Sequence, residues 1–113
     1  MAESTSNQPD CVCCNPPFSF QNYSIRPVGT DHTGNRYGEV SIYQCRLCKA
    51  FWLDYFYENN YTESGRWFRG RIPEAFSKTI LPEQAVAYLE QLDEYFYGGS
   101  YFRTTGARGK GKL

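Results

Sequence analysis

The apolar positions change period along the chain. From Phe18 to Arg26 and from Tyr37 to Gln44 they fall in extended patterns. The clearest is the second, where Val40 and Ile42 alternate with Glu39, Ser41 and Tyr43, a period of two that predicts strands. The stretch Gly29-Thr30-Asp31-His32-Thr33-Gly34-Asn35 between them is rich in turn formers and predicts a hairpin with a long loop. Ala50 to Tyr57 is apolar on both faces, with Phe51, Leu53 and Tyr55 set against Trp52 and Phe56, the pattern of a strand covered on both sides. Arg66 to Ile72 returns after the Asn59-Asn60 turn, which completes a meander of about four antiparallel strands.

From Glu83 the period becomes helical. Ala85, Tyr88, Leu89, Leu92 and Phe96 fall at i, i+3, i+4, i+7 and i+11, and Pro82 suits a first helical turn. Leu81, at the N-cap position, offers no side-chain acceptor. Gly98 and Gly99 break the helix, and a last short strand could begin in the run from Tyr97 to Phe102. The expected class is α+β, a small antiparallel sheet with one C-terminal helix packed on it. Residues 1–10 are a polar leader and residues 103–113 a Gly-rich basic tail, both expected to be disordered around a single domain at 11–102.

Composition sharpens this picture. In 113 residues there are ten Tyr, eight Phe and two Trp, so large rings supply buried area that a short chain could not otherwise gather. Twelve Lys and Arg balance twelve Asp and Glu, but unevenly: residues 1–102 carry a net −4 and the four bases of the tail bring the total to zero. Bulk charge therefore draws the chain to neither nucleic acid nor an acidic membrane. No apolar run approaches the roughly 18 residues of a membrane span, and the polar first ten residues lack a signal-peptide core. This points to the cytoplasm, with no membrane partner, where the triplets Asn22-Tyr23-Ser24 and Asn60-Tyr61-Thr62 would not be glycosylated.

Five cysteines without an export signal point to metal rather than disulfides. Cys11-Val12-Cys13-Cys14 contains one C-x2-C and Cys45-Arg46-Leu47-Cys48 another. Two thiolates at this spacing can reach one tetrahedral ion while N–H groups of the tight turn hydrogen-bond to sulfur, so Cys11, Cys14, Cys45 and Cys48 are the candidate ligands of one structural zinc. Cys13 is the spare thiol, and a Cys11/Cys13 pairing is the less usual bite. Zinc is preferred to iron because nothing in the chain suggests a redox partner. The four thiolates and the ion carry −2, which Arg46 and Lys49 lie close enough to offset. Over about residues 11–58, including Tyr43-Gln44-Cys45-x-x-Cys48 with Trp52 four residues on, the chain resembles the zinc-ribbon family. The resemblance implies two knuckles holding one zinc beneath an antiparallel sheet of zinc-ribbon type. Thirty residues separate Cys14 from Cys45, and Lys49 stands where the family has glycine.

Catalysis is not expected. Four Cys ligands leave no open position for water, and the chain has no H-E-x-x-H, G-x-S-x-G or D-x-D pattern. His32, the only histidine, reads as a solvated loop residue rather than the partner of Cys13, and Gly106-x4-Gly111-Lys112 lacks the Ser/Thr, strand and helix of a phosphate-binding loop. Two binding surfaces remain. One is the acidic helix end, Glu83, Glu90, Asp93 and Glu94 with Tyr95 and Tyr97, which has no Lys or Arg from Glu83 to Phe102 and suits a basic protein partner. The other is Arg66, Trp67, Arg69 and Arg71 with the basic tail, arginines and rings that could contact single-stranded nucleic acid weakly. The expected function is a non-enzymatic zinc-binding interaction protein, of the kind that inhibits or confers immunity by masking a basic partner. The alternative is a zinc-ribbon nucleic-acid binder.

Overall fold

The computed structural model describes residues 20–33, 37–59, 64–98 and 107–112. They form one six-stranded antiparallel sheet whose strand order follows the chain, β1 to β6. The strands are β1 (Tyr23–Asp31), β2 (Gly38–Cys45), β3 (Phe51–Asn59), β4 (Ser64–Arg71), β5 (Tyr95–Gly98) and β6 (Ala107–Gly109). Helical structure is confined to short pieces: α1 (Glu74–Ser77), α2 (Ala85–Glu90) and 3-10 turns at Phe20–Asn22 and Pro82–Gln84. The expected α+β class with one packed C-terminal helix is thereby corrected to a mostly β domain.

The correction has a local cause. The helical period from Ala85 holds through Leu92, where Gln91 and Leu92 donate to the carbonyls of Tyr88 and Leu89, and then fails. Tyr95-Phe96-Tyr97 has three residues of high strand propensity and joins the edge of β4, pairing Phe68 with Tyr97 and Arg69 with Phe96. Phe96 therefore lies on the opposite face of the sheet from Tyr95. The tail, expected to be flexible, supplies β6, which pairs Phe96 with Arg108. At the other end β1 begins later than expected and runs on through Asp31; its ladder with β2 shifts between Pro27 and Gly29, leaving Val28 as the extra residue of a bulge. Pro27, which has no N–H, is tolerated there because β1 is an edge strand.

Each face of the sheet buries its own core. One face carries Val40, Ile42, Leu53, Tyr55, Phe68 and Tyr95, packed with Ile80, Ala85 and Leu89 from the helical segment. Gly70 lets that segment lie close, since a Cβ there would stand 2.4 Å from Leu92 Cδ1. The segment is pinned at several points: Tyr88 Oη donates to the Arg71 carbonyl at 2.9 Å, the Arg26 guanidinium to the Ser77 carbonyl at 2.7 Å, and the Leu81 N–H to Gln84 Oε1 at 2.8 Å. The last of these satisfies the N–H of Leu81 itself, the half of a capping box that the Gln84 side chain supplies. The opposite face buries Tyr23, Tyr43, Cys45, Ala50, Trp52 and Phe96. Among the described residues no helix is long and apolar enough to cross a membrane.

A buried hydroxyl fixes the far end of the first hairpin. Tyr55 Oη donates to Asp31 Oδ2 at 2.8 Å, while Asp31 Oδ1 accepts from the N–H and hydroxyl of Thr33. The ring reaches Asp31 over Gly38, the cross-strand partner of Asp31, where a Cβ would come within 2.3 Å of the ring. Because both ends of the tyrosine are held, Gly38→Ala is expected to cost about 2 kcal/mol in urea denaturation. A cost below about 0.5 kcal/mol, the range of an ordinary surface change, would mean that the ring shifts freely.

Candidate functional site

Cys45 ends β2 and Cys48 lies in the tight turn before β3. The turn is closed by its backbone: the Lys49 N–H donates to the Cys45 carbonyl at 3.0 Å, and the Cys45 N–H to the Ala50 carbonyl at 2.9 Å. Lys49 takes φ 67°, the left-handed conformation that glycine adopts most easily. Lys49 therefore holds a conformation that costs a side chain more than it would cost glycine. The Leu47 N–H donates to Cys45 Sγ at 3.4 Å, the kind of contact that stabilises a thiolate. Cys45 is buried and Cys48 half-buried, and both belong to the core of Tyr23, Tyr43 and Trp52.

This half of the predicted site thus places Cys45 and Cys48 in one backbone-closed turn. Cys11, Cys13 and Cys14 lie outside the described residues, and among the described residues no cluster of three or more His, Cys, Asp or Glu could hold a metal. Arg46, the residue expected to offset thiolate charge, ties the turn to the start of β1. Its N–H donates to the Asn22 carbonyl at 2.8 Å and its Nε to the Tyr23 carbonyl at 3.2 Å.

The arginine surface is rearranged more deeply. Arg69 is only 6% exposed, and its Nε and Nη2 donate to Asp54 Oδ2 at 3.0 and 2.9 Å. Its guanidinium lies 4.3 Å from the centroid of Tyr43, 5.3 Å from Tyr23 and 5.6 Å from Trp67. Arg71 stands 5.2 Å from Trp52, its cross-strand neighbour. Arg69 and these rings therefore make an internal layer rather than a stacking platform for bases. Arg66 and Trp67 are half-buried. Sequence reasoning missed Asp54, and the signal was present: a lone acid in a strand apolar on both faces needs a buried base. Burial pushes the Asp54 carboxyl above its usual range, with Arg69 opposing, and the same burial together with the Asp54 charge lifts the Tyr43 phenol to about 12.

The acidic surface is only partly assembled. Glu90 ends α2, and Asp93 and Glu94 follow in the exposed connection to β5. Glu83 lies apart from them, on the 3-10 turn before α2. Tyr95 is buried, whereas Tyr97 is 39% exposed. The base absent from the local sequence arrives from β6: Arg108 Nε meets Glu94 Oε2 at 3.2 Å and its guanidinium lies 5.0 Å from the Phe96 ring. His32 is exposed and edge-on to Tyr37, in keeping with a loop residue.

No protein-family model matches the chain, and comparisons with curated proteins and with solved structures find no match.

The Asp54–Arg69 pair yields a stability prediction. Arg69→Met leaves a buried carboxylate alone and is expected to cost about 3 to 5 kcal/mol at neutral pH, whereas Asp54→Leu combined with Arg69→Met should recover most of it. In the single variant the folded-state pKa of Asp54 exceeds its unfolded value by more than in the parent. The folded state then holds the extra proton, so stability is retained at acid pH and lost as pH rises through the raised value. Urea denaturation across that range checks both. An Arg69→Met cost that stays the same from acid to neutral pH would contradict the burial of a charged pair.

Proposed function

We propose that this chain is a non-enzymatic interaction protein, its sheet cross-linked by one structural zinc and its acidic surface at Glu90, Asp93 and Glu94 directed at a basic protein partner. The observation that carries the metal is the turn at Cys45 to Cys48, with sulfur accepting a backbone N–H and Lys49 held in the left-handed conformation. Cys11 and Cys14 complete the ligand set in this reading, and the zinc supplies a cross-link rather than chemistry. The kinship with zinc ribbons then rests on this turn and on the cysteine spacing, while the sheet around it is larger.

The partner reading is supported by Glu90 at the end of α2 and Asp93 and Glu94 in the short connection that follows, with the exposed Tyr97 on the adjoining strand. An inhibitor or immunity-type role, in which this surface masks a basic protein, accords with a local excess of carboxylates on a small domain. The nucleic-acid alternative loses its central residue to the Asp54 pair, leaving Arg66, Trp67, Arg71 and the tail.

Protein purified without added metal is expected to contain one zinc per chain, and chelation at neutral pH should unfold the sheet, because the metal's binding free energy contributes to folding. Elemental analysis finding less than about a tenth of an equivalent would reject the site. Cys13→Ser should keep the metal and Cys14→Ser release it; the reverse would reassign the ligand.

For the surface, reversal of Glu90 and Glu94 to lysine is expected to leave the fold intact and to abolish capture of the partner from the native organism. The loss should come through a slower, less salt-sensitive association. Unchanged association kinetics on the reversed variant would remove this face from the interface.

A further inference from the structure

The free edge of β5 is occupied by the chain's own β6, the shortest strand of the sheet, through three paired positions. Each residue of that segment meets a defined environment. Ala107 is the cross-strand partner of Tyr97, and Arg108 that of Phe96. The Arg108 guanidinium lies 5.0 Å from the Phe96 ring and bonds Glu94 at 3.2 Å. Gly109 faces Tyr95 where a Cβ would stand 2.9 Å from Tyr97 Cε1 and 3.3 Å from Tyr95 Cε1, so the edge admits glycine there and crowds any side chain. Beyond the strand, Tyr95 Oη donates to the carbonyls of Gly111 at 3.2 Å and Lys112 at 3.4 Å. Backbone ladder, arginine site and glycine constriction together read an extended small-Arg-Gly segment.

That segment is also lightly held. Its ion pair is half-exposed on both sides, a class that contributes little to stability, and the ladder spans three residues. We propose that the β5 edge is the docking site for an extended, arginine-bearing, glycine-containing strand of a basic protein partner, and that the chain's own tail is its resident, displaceable occupant. This rests on the reading that the acidic surface receives a basic partner, and it specifies the mode: strand addition, with main-chain hydrogen bonds supplying affinity and the arginine and glycine positions supplying choice. While the partner is absent, the tail covers an edge that would otherwise invite pairing with other chains.

The probe is a dye-labelled peptide with the sequence of residues 107–113, added to the full chain and to the full chain carrying Gly109→Val, whose side chain collides with Tyr97 and expels the tail. The parent should bind weakly, since its own tail competes at an effective concentration in the millimolar range, and the variant at least about tenfold more tightly with one peptide per chain. Alanine in place of the peptide's arginine should cost at least about fivefold, within the range of a charge-assisted contact. A folded Gly109→Val chain that ignores the peptide, or binds it no better than the parent does, would overturn the proposal. If Gly109→Val fails to fold, Arg108→Glu loosens the tail by repulsion from Glu94 at an exposed position, and the same two outcomes decide. Peptide failure alongside partner capture that still depends on Glu90 and Glu94 would remove strand docking and leave the acidic surface standing. Peptide binding without such capture would do the reverse.

Discussion

One ion pair in the middle of the sheet constrains everything around it. Asp54 and Arg69 are directly opposed across β3 and β4 and both are buried. A slip of one residue in either strand would carry that strand's charge to the other face, into the core of Leu53, Tyr55 and Phe68, and leave its partner buried alone, so the pair penalises the shifted register. Charge buried this way adds little net stability, since desolvation consumes much of the attraction. What it contributes is specificity, and the surrounding rings follow from it. Tyr23, Tyr43 and Trp67 close on the guanidinium, covering its faces while the carboxylate takes its edge. The high ring content of a short chain thus has a second use beyond area: aromatic faces accept a cation that aliphatic side chains would leave unsatisfied.

The cysteine turn lies on the same face and draws on the same core. Cys45 pairs with Tyr23 across β1 and β2, and Tyr43, two residues earlier, covers Arg69. The candidate ligand and the ion pair are therefore linked through contiguous side chains. Disturbing the turn would loosen the packing over the guanidinium, and loosening the pair would expose the base of the turn.

How far the sequence could be read depended on how many physical solutions each segment allowed. β2, β3 and β4 were legible because alternation in β2, two-sided apolarity in β3 and the turn before β4 each admit one extended reading. Phe96 satisfied two periods at once, as the eleventh step of a helical face and as the middle of an aromatic triplet, and only pairing with β4 decided between them. The three residues of β6 carry no period at all; their strand exists because β5 had an edge to offer. In the site, the spacing of Cys45 and Cys48 was visible directly, whereas Arg69 read as solvent-facing because the burial of this second face depends on tertiary packing. The base that meets Glu94 was hidden for a related reason, since Arg108 is distant in sequence and becomes a neighbour only through the ladder.

The order of strands in the sheet has a consequence for how the molecule forms. Every strand pairs only with its neighbours along the chain, so each ladder closes a comparatively short loop. Such an arrangement keeps the sequence separation of contacts low for a β protein and favours rapid assembly. It allows growth from the four strands β1 to β4, whose ladders are far longer than those of β5 and β6, with no long-range closure required to complete the sheet. The corollary is that β5 and β6, each held through three paired positions, are the natural last arrivals and the first to leave. Cooperative unfolding and local fraying can then be separate events, the second confined to an edge that is free to exchange while the centre stays folded.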